Sequence, residues 1–197
     1  MSNYLVVADV NTNESISVVG RNLAIGATGI IWCVYTRGAL PNTKVYVAYS
    51  SNSGETWTEE NVSVDDARHD EPTIAIDSTG IVHVTYTATN RAPFATAYGI
   101  FYKQRSVLGV WGAEETVSLQ DTGSNSPMSA TAVDSSDNIH CVISTKGYGT
   151  FPLAWNVIYI KRTTGTWGSP VQITDVDKVQ SFSAIAVDSS DVVHLAW

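Results

Sequence analysis

Positive charge is scarce in this chain of 197 residues: 11 Lys and Arg stand against 19 Asp and Glu, a formal net charge of −8. Phosphate recognition needs a basic face, so a general nucleic-acid or anionic-membrane binder is excluded as an expectation. No apolar run approaches the roughly 20 residues that a bilayer-spanning helix requires. Met1-Ser2-Asn3-Tyr4-Leu5 has neither a basic opening nor a long apolar core, so no secretory signal is visible. Cysteine is nearly absent: Cys33 and Cys141 are the two present, with no Cys-x-x-Cys or His-x-x-x-His spacing. Neither a disulfide framework nor a metal or other cofactor is expected. Low lysine with abundant Ser, Thr and Asn suits an extracellular or virion-associated protein.

What is present is a repeat. Ile74-Ala75-Ile76-Asp77-Ser78-Thr79-Gly80-Ile81-Val82-His83-Val84 returns as Thr131-Ala132-Val133-Asp134-Ser135-Ser136-Asp137-Asn138-Ile139-His140-Cys141. It returns again as Ile185-Ala186-Val187-Asp188-Ser189-Ser190-Asp191-Val192-Val193-His194-Leu195, and a degenerate copy occupies Leu23–Cys33. The aligned alanines Ala24, Ala75, Ala132 and Ala186 are 51, 57 and 54 residues apart, a period that signals a propeller or array. Val82, Val84 and Tyr86 alternate with Ile81, His83 and Thr85 at the period of a strand, and the Asp-Ser tetrads carry tight-turn chemistry. Two further strands per unit are predicted: Lys44–Ser50 with Thr56–Val64, Gly99–Gln104 with Val110–Leu119, and Asn156–Lys161 with Thr166–Thr174. Trp57, Trp111 and Trp167 recur shortly after Gly54, Gly109 and Gly165 and are predicted to anchor the outermost turn.

The fold expectation is therefore all-β: a β-propeller of four-stranded antiparallel blades. One domain spans 1–197, with a half blade at 1–20, blades at about 21–64, 70–119 and 127–174, and a half blade at 182–197. Strands at Tyr4–Val10 and Ser15–Val19 are expected to complete the sheet begun by Ser183–Val187 and Val192–Trp197, in the same chain or a partner. Closure within one chain gives four blades; a homodimer gives an eight-bladed ring with two-fold symmetry, the favoured form. A fragment of a longer product is the third reading.

Ser50-Ser51-Asn52-Ser53-Gly54-Glu55-Thr56-Trp57 resembles the Asp-box (S-x-D-x-G-x-T-W, or BNR repeat) of sialidase-like propellers, with Asn52 in place of Asp. Thr163–Trp167 and Val107–Trp111 resemble its Gly-containing tail. The resemblance implies a substrate face on the opposite rim, formed by the loops at 37–43, 88–98 and 146–155 and the inter-blade connections at 65–71, 120–128 and 175–181. Candidate ligand residues there are Arg37, His69, Asp70, Arg91, Tyr98, Tyr148 and Trp155, since aromatics with polar neighbours suit a sugar. Arg21-Asn22-Leu23-Ala24-Ile25 resembles the Arg-Ile-Pro opening of sialidases, whose Arg grips a carboxylate, so Arg21 joins the list. The Tyr-Glu nucleophile pair of that mechanism has no counterpart that can be placed, and no catalytic residue is assigned. His83, His140 and His194 share one column, with Trp32 in the degenerate copy, and are expected to be hydrogen-bonded structural groups. The functional expectation is a non-catalytic module that binds a glycan or assembles a surface; the alternative is a sialidase-like hydrolase acting on an acidic sugar.

Overall fold

Period-two alternation and repeated turn tetrads produce sixteen strands, with no helix among the described residues. The structure, a computed structural model, describes residues 14–15, 21–63, 65, 67–89, 98–120, 126–147, 150, 154–180 and 182–197. The first sheet contains β1 (Glu14–Ser15), β2 (Leu23–Ile25), β3 (Ile31–Arg37), β4 (Lys44–Ser50) and β5 (Thr58–Asn61). The second contains β6 (His69–Ile76), β7 (Val82–Thr89), β8 (Tyr98–Arg105) and β9 (Glu115–Gln120). The third contains β10 (Met128–Val133), β11 (Ile139–Thr145), β12 (Asn156–Thr163), β13 (Thr166–Trp167) and β14 (Val171–Gln172). A hairpin of β15 (Ala184–Val187) and β16 (Val193–Ala196) follows. Every pairing is antiparallel, and each sheet is a meander with four ladder positions, shared in the first sheet by β1 and β2 and in the third by β13 and β14. The inner strands β2, β6, β10 and β15 stand next to one another in chain order, so the sheets are layered face to face.

The Asp-Ser tetrads build the turns between first and second strands. Asp77 Oδ1 accepts from the backbone N–H of Thr79 and Ile81, at 3.0 and 2.9 Å. Asp134 does the same for Ser136 and Asn138, and Asp188 for Ser190 and Val192. One carboxylate thus satisfies two turn donors, which is why the tetrad recurs. Asp137 and Asp191 take left-handed backbone, with φ of 61° and 60°, where the second copy has Gly80.

Fourth-position residues also reach across the seams. Asp137 accepts from the N–H and hydroxyl of Ser78 in the preceding sheet at 2.8 and 2.9 Å, and Asp191 takes the same two bonds from Ser135 at 2.8 and 2.5 Å. Two Arg–carboxylate forks repeat likewise: Arg105 grips Glu60 at 2.6 and 2.7 Å, and Arg162 grips Glu115 at 2.7 and 3.0 Å.

Two expectations shift. Trp111 and Trp167 are half-buried and lean on the preceding sheet rather than anchoring their own turns. Trp111 Nε1 donates to Glu60 Oε2 at 2.9 Å, and the Trp167 ring meets Tyr102 edge-on at 5.4 Å. The backbone after each Trp, Gly112 or Gly168, donates back to Gln104 or Lys161, which breaks the expected long outer strands into shorter pieces. Second, Glu14–Ser15 pair with Arg37 and Thr36 of β3, not with the terminal hairpin. Strand β2 covers only Ile31–Cys33, so the remaining edge of β3 is open to another strand. The sheets described do not close into a ring.

Candidate functional site

The loops between second and third strands and the connections between sheets emerge at one end because each sheet is an antiparallel meander. Among the described residues, two of these connections are stitched to the neighbouring loop by backbone bonds at equivalent places. His69 N–H donates to Thr43 O at 3.1 Å, and Gln180 N–H donates to Trp155 O at 3.0 Å. These stitches hold two structurally related loop pairs, and their side chains differ in what they leave accessible.

In the first pair the polar groups are committed to one another. Asp70 accepts from Thr43 Oγ1 at 3.1 Å and from Arg68 Nε. His69 is fully buried, with Nδ1 3.3 Å from Thr43 O, Nε2 3.3 Å from Asp65 Oδ1 and its ring tilted against Tyr86. It ties the connection to the loop and is out of a ligand's reach. Arg37 lies over the Tyr46 ring and is clamped to Glu59.

The second pair borders an open surface cavity of about 320 Å³ lined by Lys146, Ala154, Trp155, Asp177, Lys178 and Val179. Trp155 is half-buried, with the Lys146 ammonium 5.9 Å from its ring centroid. In this acidic chain Arg37, Arg68, Arg105, Arg162 and Lys161 all hold carboxylates. Among the described residues Lys146 and Lys178 have no ion-pair partner, and both face this one cavity. Trp155 was legible as a rim aromatic. The lysines and Asp177 were not singled out, although two lysines in loops that share one rim, in a chain so poor in lysine, were the available signal.

The other candidates are dispersed. Arg21 is exposed, and its carbonyl accepts the Ile74 N–H at 2.9 Å. Tyr98 is half-buried at the start of β8, opposite Thr89 and Gln120. Arg91 and Tyr148 lie outside the described residues. A second cavity, of about 180 Å³, opens at the other end between Gly26, Trp32, Ile76, Gly80 and Val107; its one cation, Arg105, is already held by Glu60.

In the histidine column His83 and His140 form buried relays, while His194, 2.9 Å from Asp188 Oδ2, is exposed. His83 joins Asp77 Oδ2 at 3.1 Å to the Tyr102 hydroxyl at 2.7 Å, and His140 joins Asp134 Oδ2 at 3.0 Å to the Tyr159 hydroxyl at 2.6 Å. Burial pushes the Asp77 carboxyl up, but hydrogen bonds from His83, Thr79 and the Ile81 N–H outweigh it and hold its pKa at about 2. Asp134 is also kept well below the carboxylate range: Asn138, His140 and Lys161 together overcome its burial. Burial drives the Tyr102 and Tyr159 phenols upward, so they stay protonated and available as donors. Cys141, in the same strand, is fully buried, and burial pushes its thiol up to about 12; Cys33 is half-buried and both thiols are free. These groups hold strands together and face no cavity of the rim.

The sequence matches no protein-family model and none of the curated proteins. Solved structures do match. The Hadza microbial sialidase Hz136 superposes with a TM-score of 0.58 at 12% identity, over 86% of this chain and 40% of that one. The endo-arabinase from Bacteroides thetaiotaomicron VPI-5482 gives 0.58 at 10%, over 88% of this chain and 67% of that one. An ulvan lyase bound to a -[GlcA(1-4)Rha3S]- saccharide gives 0.57 at 11%, over 84% and 46%. This chain therefore spans from two fifths to two thirds of the length of these neighbours. At such identities the likeness speaks to fold: an all-β, β-propeller-like stack of antiparallel four-stranded sheets, of the kind found in carbohydrate-active enzymes.

Proposed function

We propose that this chain is a non-catalytic, glycan-binding member of the sialidase-like propellers, with its ligand seated in the cavity beside Trp155. The observation that carries the reading is the convergence of one half-buried indole, two ammonium groups without carboxylate partners and one carboxylate on a cavity of about 320 Å³. An aromatic platform with a few polar groups around it matches how a sugar is held, its apolar face on the ring and its hydroxyls on the rim. The non-catalytic part rests on the first loop pair, where Asp70 and Arg37 are occupied by Arg68, Thr43 and Glu59. Glycoside hydrolysis generally needs two opposed carboxylates free to act on substrate.

Titration with a panel of neutral and acidic oligosaccharides, followed by tryptophan fluorescence, tests this. Trp155→Ala should weaken binding at least about tenfold and Lys146→Ala by about threefold. Failure of every saccharide to bind the native chain at millimolar concentration would sink the proposal. Release of the fluorophore from a fluorogenic sialoside, abolished by Arg21→Ala, would replace it with the hydrolase reading.

A further inference from the structure

The seam between the first and second sheets lacks the groups that close the later seams at their turn end. Gly26, Ala27 and Trp32 stand where the next copy has Asp77, Ser78 and His83, and Ala27 and Gly80 take the places of the Ser78–Asp137 clasp. Between the two sheets lies the cavity of about 180 Å³, whose wall includes Gly26, Ile30, Trp32, Ile76, Arg105 and Val107. In the later copies the carboxylate at the place of Gly26 meets the ring nitrogen of this column, Asp77 with His83 at 3.1 Å and Asp134 with His140 at 3.0 Å. The degenerate copy keeps a ring donor and has lost its acceptor. Trp32 is 5% exposed, and its indole N–H has no acceptor among the described residues. The nitrogen is not sealed within protein either, so it reaches the space that the ring borders. The ring itself is pinned, stacked on Tyr49 at 4.5 Å with the Arg105 guanidinium 5.2 Å from its centroid.

We propose that this cavity is a binding site for a small uncharged molecule, a single aromatic ring bearing one hydrogen-bond acceptor. The acceptor meets the Trp32 N–H, and the ring lies among Ile30, Ile76 and Val107. A largely apolar wall with one convergent donor is the make-up of a small-molecule site, and a buried donor left unpaired is costly enough to favour whatever pairs it. The volume suits one ring, since an apolar cavity of about 150 Å³ accommodates benzene. The preference for an uncharged ligand follows from Arg105, the one charged residue among those lining the cavity, which Glu60 already neutralises through bonds of 2.6 and 2.7 Å. Gly26 leaves the backbone bare where the ring would approach. A Cβ there would stand 3.7 Å from Ile76 Cγ2, in ordinary contact, so a side chain at this position can be added and would grow toward the opposite wall. The cavity is at the other end of the sheets from Trp155, and the proposal is independent of the glycan reading.

Acetophenone, one ring with a carbonyl acceptor, is the probe, and ethylbenzene, of similar shape without the acceptor, is its control. The chain has six tryptophans, and comparison with Trp32→Phe identifies the indole N–H signal of Trp32 in a nitrogen-15-correlated proton spectrum. Millimolar acetophenone should move that signal saturably, and ethylbenzene should bind roughly threefold to tenfold more weakly, the value of one hydrogen bond. Gly26→Asp restores the residue of the later copies, fills the site and offers the N–H its own acceptor, so affinity should fall at least about tenfold. Gly26→Ala, which the space admits, should lower it about threefold and decides the matter if the aspartate variant fails to fold. Absence of a saturable shift in the native chain overturns the proposal, as does affinity unchanged by the folded Gly26 variants. Equal affinity for ethylbenzene overturns the assignment of the indole as donor. A shift confined to the Trp155 signal places the probe in the other cavity and overturns this site.

Discussion

The seam between the first and second sheets and the seam between the second and third use equivalent strands but bury different chemistry. The first is apolar: Val34, Val45, Val47 and Val62 pack against Ile74, Val82, Val84 and Tyr86. The second also has an apolar cluster, of Ile100, Tyr102, Cys141, Ile143, Ile158 and Ile160, but its inner strands meet through hydroxyls. Thr85 Oγ1 is 2.9 Å from Thr73, 2.8 Å from Thr131 and 3.0 Å from Ser129, all of them buried. The residue equivalent to Thr85 in the first sheet is Val34. A repeat can therefore keep its strand order while exchanging hydrophobic burial for a closed polar network, provided every hydroxyl in the network finds a partner.

The largest break is expected in the apolar seam. Tyr86 is fully buried, packed near Phe101 and His69, with its hydroxyl donating to Glu114. Tyr86→Ala should cost about 3–5 kcal/mol by urea denaturation, the range for deleting a buried aromatic. A cost below about 1 kcal/mol would mean that the first sheet adds little to the cooperative unit.

Next comes the polar seam. Thr85→Val keeps the shape but leaves the Ser129 hydroxyl without its Thr85 partner and Thr131 with Thr73 alone, at about 1–3 kcal/mol. The reciprocal change, Val34→Thr, buries a hydroxyl among valines and should cost a similar amount. If either is neutral, the contrast between the seams is one of composition without energetic consequence.

How much of this was legible in sequence depends on whether a contact lies within one repeat or between two. The strands, the Asp-Ser turns and the histidine column follow from residues a few positions apart, and their pattern reads directly. The Asp–His half of each relay is likewise local: Asp77 and His83 sit at the two ends of one tight turn. The phenol is not, since Tyr102 and Tyr159 come from the following strand. The seam contacts escaped because they depend on how one sheet lies on the next. Yet the Arg–Glu forks did leave a trace, since Glu60 and Glu115 are 55 residues apart and Arg105 and Arg162 are 57, both at the repeat period. Rim chemistry was the least legible. Arg37, His69 and Asp70 have the residue types of a binding site, but short local contacts consume them, whereas among the described residues Lys146 and Lys178 are paired with no carboxylate.

Acid separates the buried relays from the terminal one. The Asp77 pKa in the folded chain is about 2, below its ordinary 3.8, so its ionised form favours folding. That contribution is fully present above about pH 4 and is lost as pH falls toward 2. Asp134 adds in the same direction. Asp77→Asn should flatten the acid limb of a stability–pH curve between pH 4 and 2, while Asp188→Asn should flatten it less, because the hydrogen bonds from His194, Ser190 and Val192 that lower Asp188 are screened by water in the exposed hairpin. Equal flattening by both would show that burial is not what distinguishes the two relays.

The smallest effect is expected at the clasps between turns. Ser78–Asp137 and Ser135–Asp191 are solvent-facing, so water replaces most of what their removal takes away. Asp137 joins two complete sheets that the hydroxyl network and the Arg162–Glu115 fork also join, so Asp137→Ala should cost below about 0.5 kcal/mol. Asp191→Ala removes one of few ties on the hairpin, whose other described links to the third sheet include the Ser144–Ser183 hydroxyl contact at 2.9 Å, the Ser183 N–H donating to Ser144 Oγ at 3.3 Å, and packing through Ile185 and Leu195. Global stability should again barely change. Local opening should not be equal, because a hairpin with so little buried area lies near the low end of the opening free energies within a fold. Amide exchange in Ala184–Ala196 should therefore quicken in Asp191→Ala while exchange in β6–β8 stays as in the native chain. Unchanged exchange in the hairpin would show that the Ser144–Ser183 contacts and the packing of Ile185 and Leu195 hold it on the third sheet without the clasp.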